Sequence, residues 1–126
     1  MTDTVLSDGD LLARADAAAA RAYAPYSRFH VGCAVLTRDG KVVEGVNVEN
    51  AAYPLGVCAE RSAFARAVSE GHRPGDFLVA AITASPCGGC RQWLYEFKVD
   101  RVVFPSGGDL VTRTTAELLP DAWDDL

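Results

Sequence analysis

Three of the four cysteines in this 126-residue chain gather at the starts of two separate segments that read as helices. Cys58 opens Cys58-Ala59-Glu60, and Cys87 and Cys90 stand in Pro86-Cys87-Gly88-Gly89-Cys90. Helix N-termini offer unpaired backbone N–H groups and the positive end of the dipole, and both favour thiolates. The spacing of three lets Cys87 and Cys90 reach one ion. If the two helix starts lie side by side, Cys58 completes a three-thiolate zinc site with a free fourth position, the mark of a catalytic rather than a structural zinc. Glu60, two residues beyond the first cysteine, then points into the same cavity without ligating the metal, placed to carry protons to and from a water held there.

Such convergence needs a layered fold, and the pattern along the chain supplies one. Ser7 caps a first helix that continues through Leu11-Leu12 and Ala17 to Ala20 and stops before Pro25. Phe29 to Thr37 and Lys41 to Asn47 read as strands joined across Asp39-Gly40, a hairpin signal. The first has apolar or small residues on both faces, as expected of a strand covered on both sides. A helix follows over Cys58 to Glu70 with Gly71 as its stop, then a strand over Phe77 to Thr83. A short helix from Gly88 to Phe97, a strand over Arg101 to Phe104, a short strand over Leu110 to Thr112 and a last helical turn capped by Thr114 complete the order. The connection from Pro105 to Asp109 is too short for a parallel crossover, so the last two strands are antiparallel. The expectation is an α/β fold: one domain over residues 1–126, three α/β/α layers around a mixed five-stranded sheet.

Composition narrows the partners. Lys and Arg number 12 against 17 Asp and Glu, a formal charge of -5, which suits neither a phosphate backbone nor nucleic-acid binding. No apolar run approaches the ~18 residues of a membrane helix, and the first ten residues lack a secretory pattern. The expected setting is the cytoplasm, where thiols stay reduced and serve as ligands or core residues rather than in disulfides. Mid-strand Cys33 reads as core, and His30 and His72 as surface or loop residues.

From about Tyr23 to Trp123 the chain resembles the small cytidine deaminases that act on free nucleosides. The resemblance rests on Tyr23-Ala24-Pro25-Tyr26-Ser27-Arg28-Phe29, Val31-Gly32, Asn47-Val48-Glu49-Asn50-Ala51-Ala52-Tyr53, Cys58-Ala59-Glu60-Arg61, Pro86-Cys87-Gly88-Gly89-Cys90-Arg91-Gln92 and Leu118-Leu119-Pro120. It implies that Cys58, Cys87 and Cys90 bind Zn²⁺ and that Glu60 shuttles protons. It further implies that Asn47 and Glu49 hydrogen-bond ribose hydroxyls, that Phe29, Ala59 and Trp123 contact the nucleoside, and that Arg61 donates to ligand sulfurs. The family's assembly is a homotetramer, with sites made partly by neighbouring subunits. The implied reaction is hydrolytic deamination of cytidine and 2′-deoxycytidine in pyrimidine salvage. A related cytosine nucleoside such as blasticidin S is the nearest alternative substrate, and a non-catalytic zinc-stabilised nucleoside-binding module is the alternative of another class. Two departures stand out. The stretch Ile82 to Ser85 is shorter than the resemblance leads one to expect, and Trp123 stands where the family commonly has Phe. Trp123 has a second reading, as a plug at a core edge.

Overall fold

The structure, a computed structural model, describes residues 6–123. Its elements are α1 (Asp8–Ala19), β1 (Gly32–Thr37), β2 (Val42–Val46), a 3₁₀ turn (Tyr53–Leu55), α2 (Ala59–Ser69), β3 (Phe77–Ile82), α3 (Gly88–Glu96), β4 (Arg101–Ser106), β5 (Asp109–Arg113) and α4 (Thr115–Leu118). The five strands form one sheet in the order β2-β1-β3-β4-β5. Only β3 and β4 run parallel, joined by α3 as their crossover; the other pairs are antiparallel. The mixed sheet and the antiparallel last pair are as the loop length dictates.

Each face of the sheet has its own core. On one side Leu11 and Ala15 of α1 pack on Ala34, Val79, Ala81 and Val103. On the other, Ala63, Phe64 and Ala67 of α2 and Leu94 of α3 pack on Cys33, Val35, Ala80 and Ile82. All but the second residue of β3, Leu78, and the fifth of β1, Leu36, are buried, as a doubly covered strand requires. Phe64 anchors the second core, edge-on to Phe77 at 5.1 Å and tilted against Phe97 at 4.8 Å.

Local chemistry sets the boundaries. Ser7 caps α1 in a capping box with Asp10, and Thr114 caps α4 in one with Glu117. α1 stops at Ala19, earlier than Pro25 required. β1 begins at Gly32 rather than Phe29, because Val31 spends its N–H on the Asn47 side chain and Phe29 spends its own on Ser27 Oγ. β4 and β5 run to Ser106 and from Asp109, so the predicted turn narrows to Gly107-Gly108. Both glycines have positive φ, the conformation of a tight two-residue hairpin.

Glycine lets both helix layers seat deeply. A Cβ on Gly32 would lie 1.9 Å from the Ala15 carbonyl oxygen of α1. A Cβ on Gly45 would lie 2.3 Å from the Ala63 amide nitrogen of α2. His72 is a loop residue, as one half of its reading has it, but not a surface one. It follows α2 in a turn, yet is only 8% exposed, with Nδ1 3.3 Å from the Ala67 carbonyl and Nε2 3.5 Å from Asp39.

Candidate metal centre and nucleoside cavity

The parallel β3–α3–β4 unit brings the start of α3 beside the start of α2. Cys58 is the N-cap of α2 and Cys87 the N-cap of α3, both with extended backbone angles; the Cys87 sulfur turns back to cap its own helix, while that of Cys58 makes no cap bond. Cys90 follows in the first turn of α3 and is buried. The three sulfurs lie within 4.8 Å of one another, with Cys58 and Cys87 3.9 Å apart. Sulfurs on a tetrahedral zinc with bonds of about 2.3 Å stand about 3.8 Å apart, so the separation fits. Among the described residues this is the only such group of potential ligands. Cys33 is no part of it; it lies wholly buried in β1.

The electrostatics of the sulfurs point the same way. Burial, then the Glu60 charge and the other two thiols, push the Cys90 thiol far up. Burial is the strongest single influence on Cys87 and pushes it up, but the Cys90 amide, donating to Cys87 Sγ at 3.4 Å, and the Cys90 and Cys58 thiols together outweigh it, and that thiol sits below its usual range. Three thiols this close cannot all ionise on their own, whereas a divalent cation among them reverses the balance. Arg61, one turn into α2, donates from Nη2 to Cys58 Sγ at 3.3 Å. Its Nε is buried without a hydrogen-bond partner. A buried N–H left beside sulfurs is suited to thiolates, whose charge it offsets. The donor set therefore fits zinc.

Glu60 is 3% exposed, at the second position of α2. Burial pushes its carboxyl up, against the opposing pull of its own helix-terminal amide, Cys90 and Arg61. A buried carboxyl with a raised pKa beside metal ligands is the environment of a group that holds and passes on a proton. Cys33 feels the same carboxylate: burial first, then Glu60, push its thiol up.

An open cavity of about 670 Å³ meets the sulfur cluster at Cys58; Cys87, Cys90 and the buried Glu60 do not line it. Its wall carries Asn47, Glu49, Cys58 and Arg61 together with Tyr26 and Tyr53. Asn47 braces the cavity through main chain: Oδ1 accepts from Val31 at 2.8 Å, and Nδ2 donates to the Phe29 carbonyl at 2.8 Å. Glu49 accepts from the amides of Tyr26 and Ser27, both at 3.0 Å, and from the Ser27 hydroxyl. Hydrogen bonds from Ser27 hold its carboxyl below the usual range, so it faces the cavity as an anion. Ser27 and Tyr26 had no assigned role in the sequence reading, although both sit in the matched segment Tyr23 to Phe29.

The remaining predicted residues lie apart from that wall. Phe29 is 62% exposed and joins the site through its carbonyl bond to Asn47. Ala59 is 1% exposed, its methyl sealed in the α2 core. Trp123 is 68% exposed, so it is no plug at a core edge.

Comparison with known proteins agrees with this geometry. The family model "Cytidine and deoxycytidylate deaminase zinc-binding region" matches residues 6–106. A cytidine deaminase of Halalkalibacterium halodurans is 46% identical over 111 residues, covering 81% of this chain and 83% of that protein. One from Sporosarcina psychrophila is 43% identical over 122 residues, covering 90% and 88%. The crystal structure of cytidine deaminase from Burkholderia pseudomallei superposes with a TM-score of 0.85 at 43% identity, covering 98% of this chain and 100% of that one.

Proposed function

Since this chain belongs to the cytidine and deoxycytidylate deaminase family, we propose that it hydrolyses the exocyclic amine of cytidine and 2′-deoxycytidine, giving uridine and 2′-deoxyuridine plus ammonia. The observation that carries the reading is the pairing of a three-sulfur cluster with a buried carboxyl two residues after its first member. A binding module has no use for a buried acid beside its metal ligands.

Cys58, Cys87 and Cys90 would hold zinc, which when bound acidifies a water and so provides the nucleophile. Glu60 accepts a proton from the water that attacks C4 and delivers it to N3 of the ring. It carries a second proton to the 4-amino nitrogen, which leaves as ammonia; the ring keeps the water oxygen as its new carbonyl. Its exclusion from bulk water keeps the carboxyl from exchanging that proton with solvent. Arg61 draws charge from Cys58, which keeps three thiolates from quenching the acidity of the metal. The Glu49 anion and the Asn47 amide accept and donate to ribose hydroxyls from the far wall of the cavity.

Phe29 and Trp123, both largely exposed in the single chain, belong to a homotetramer in this reading, in which aromatic residues contact the base. Tyr53, 93% exposed on the cavity wall, is covered by the same assembly. Unpaired thiols suit a reducing cytoplasm and a role in pyrimidine salvage. No helix among the described residues is long and apolar enough to cross a membrane.

The test is a substrate panel on zinc-loaded protein, followed by the loss of cytidine absorbance as uridine forms. Turnover of cytidine and deoxycytidine above CMP, cytosine and blasticidin S is the expected result. Turnover of blasticidin S alone would reassign the substrate, and nucleoside binding without turnover would make the protein a binding module.

A further inference from the structure

We infer that Gly45 is a positioning residue for the metal centre, resting on the zinc reading above: its missing side chain sets the depth of the α2 turn that carries Cys58, Glu60 and Arg61. Gly45 lies mid-strand in β2, where glycine weakens a strand and marks a close backbone approach. The approach is severe. An added Cβ would stand 2.3 Å from the Ala63 nitrogen, 2.6 Å from the Ala59 carbonyl oxygen and 2.7 Å from the Ala63 Cα. All three are main-chain atoms, so no rotamer relieves the clash. The Ala59 carbonyl belongs to the peptide bond that leads into Glu60, one residue after Cys58. The contact therefore falls on the turn that bears the site, not on the far end of the helix.

The sheet connects this contact to the other two ligands. Gly45 pairs with Cys33 in β1, and Cys33 pairs with Ile82 at the end of β3. Five residues after Ile82 comes Cys87. One row across three strands thus fixes the height of Cys58 on one side against Cys87 and Cys90 on the other. Restoring ordinary contact distances after adding a Cβ lifts the α2 turn by about 1 Å. Zinc–sulfur bonds tolerate only ~0.2 Å of misfit. Such a lift pulls Cys58 out of register with its partners and shifts Glu60 with it.

The test compares Gly45→Ala with Leu11→Ala in the full chain. Leu11 is 1% exposed in the α1 core on the opposite face of the sheet, so its truncation destabilises the protein without touching α2. Zinc affinity is read on metal-free protein by competition with a chromophoric chelator, beside the thermal midpoint and the kcat and KM for cytidine. The expected result is a loss of about 10- to 100-fold in zinc affinity for Gly45→Ala, with kcat falling more than KM rises. Leu11→Ala should show a lowered midpoint and zinc affinity equal to that of the unaltered chain. Gly45→Ala with a lowered midpoint and unchanged zinc affinity overturns the inference. If Gly45→Ala does not fold, Ala63→Ser, which adds one buried atom to the α2 residue whose main chain Gly45 meets, is read by the same comparison with Leu11→Ala. Failure of the unaltered chain to take up zinc overturns the deaminase reading and this inference together. Tight zinc binding by both the unaltered chain and Gly45→Ala overturns only the latter.

Discussion

Glu60→Gln isolates the proton shuttle from everything else the residue does. The two side chains have nearly the same shape, so the packing around a position only 3% exposed is kept. Glutamine has no proton to exchange at neutral pH. A positioned acid–base group contributes about 10²- to 10⁴-fold. The same carboxyl serves both N3 and the departing amine, and its burial leaves no bulk water to substitute. The upper end applies: a fall in kcat of about 10⁴-fold, or about 5 kcal/mol of barrier. Zinc content should stay at one ion per chain, because the sulfurs alone hold the metal. Stability gives an internal control. Burial raises the folded-state pKa of Glu60, so its favourable contribution is present at low pH and is lost as pH rises past the unfolded carboxylate range. At pH 7 the metal-free variant is therefore at least as stable as the unaltered chain. The assay is the decrease in cytidine absorbance with zinc-loaded protein, paired with metal analysis and a melting curve. Zinc-loaded Glu60→Gln with kcat within tenfold of the unaltered enzyme would refute the role of this carboxyl.

Chelation or Cys90→Ser should abolish turnover and lower the thermal midpoint, readable by calorimetry with and without added zinc, because metal affinity adds directly to folded-state stability. Phe64→Ala removes the ring that Phe77 and Phe97 pack against; a loss of about 3–5 kcal/mol in denaturant unfolding is expected, and under 1 kcal/mol would contradict the core described. Burial raises the Glu44 carboxyl, but Arg21 and Arg14, both at 2.9 Å, outweigh it and hold it below the usual range. With those arginines half exposed the pairs contribute about 1 kcal/mol or less. That stability is present above the unfolded Glu pKa of about 4.3 and is lost as pH falls through the lower folded value, so the midpoint gap between the unaltered chain and Glu44→Gln should close on acidification.

The metal centre was legible in sequence because its ligands are short-range signals. A cysteine at each of two helix starts, a spacing of three and an acid two residues on survive in one dimension. The antiparallel last pair was legible for a similar reason, since a five-residue connection admits no crossover. The narrowing of the turn there to Gly107-Gly108, the early stop of α1 and the late start of β1 were not. Each depends on which partner a main-chain N–H finds, and for Val31 the partner is an Asn47 side chain sixteen residues away.

His72 shows the limit for single residues. Its neighbours in sequence are polar, yet the turn after α2 folds it over the Ala67 carbonyl and out of water. Asn47 and Glu49 show it for the site. Only the family resemblance gave them a hydrogen-bonding role, and only the fold assigned their bonds to the Tyr26 to Val31 segment and placed both on the wall of one cavity with Cys58. The chain alone thus determined the kind of chemistry, because ligand type and local spacing are written in consecutive residues. Distances between the two helix starts, the burial of Glu60 and the seating of α2 on Gly45 belonged to the tertiary structure, because they arise where segments remote in sequence compete for the same space.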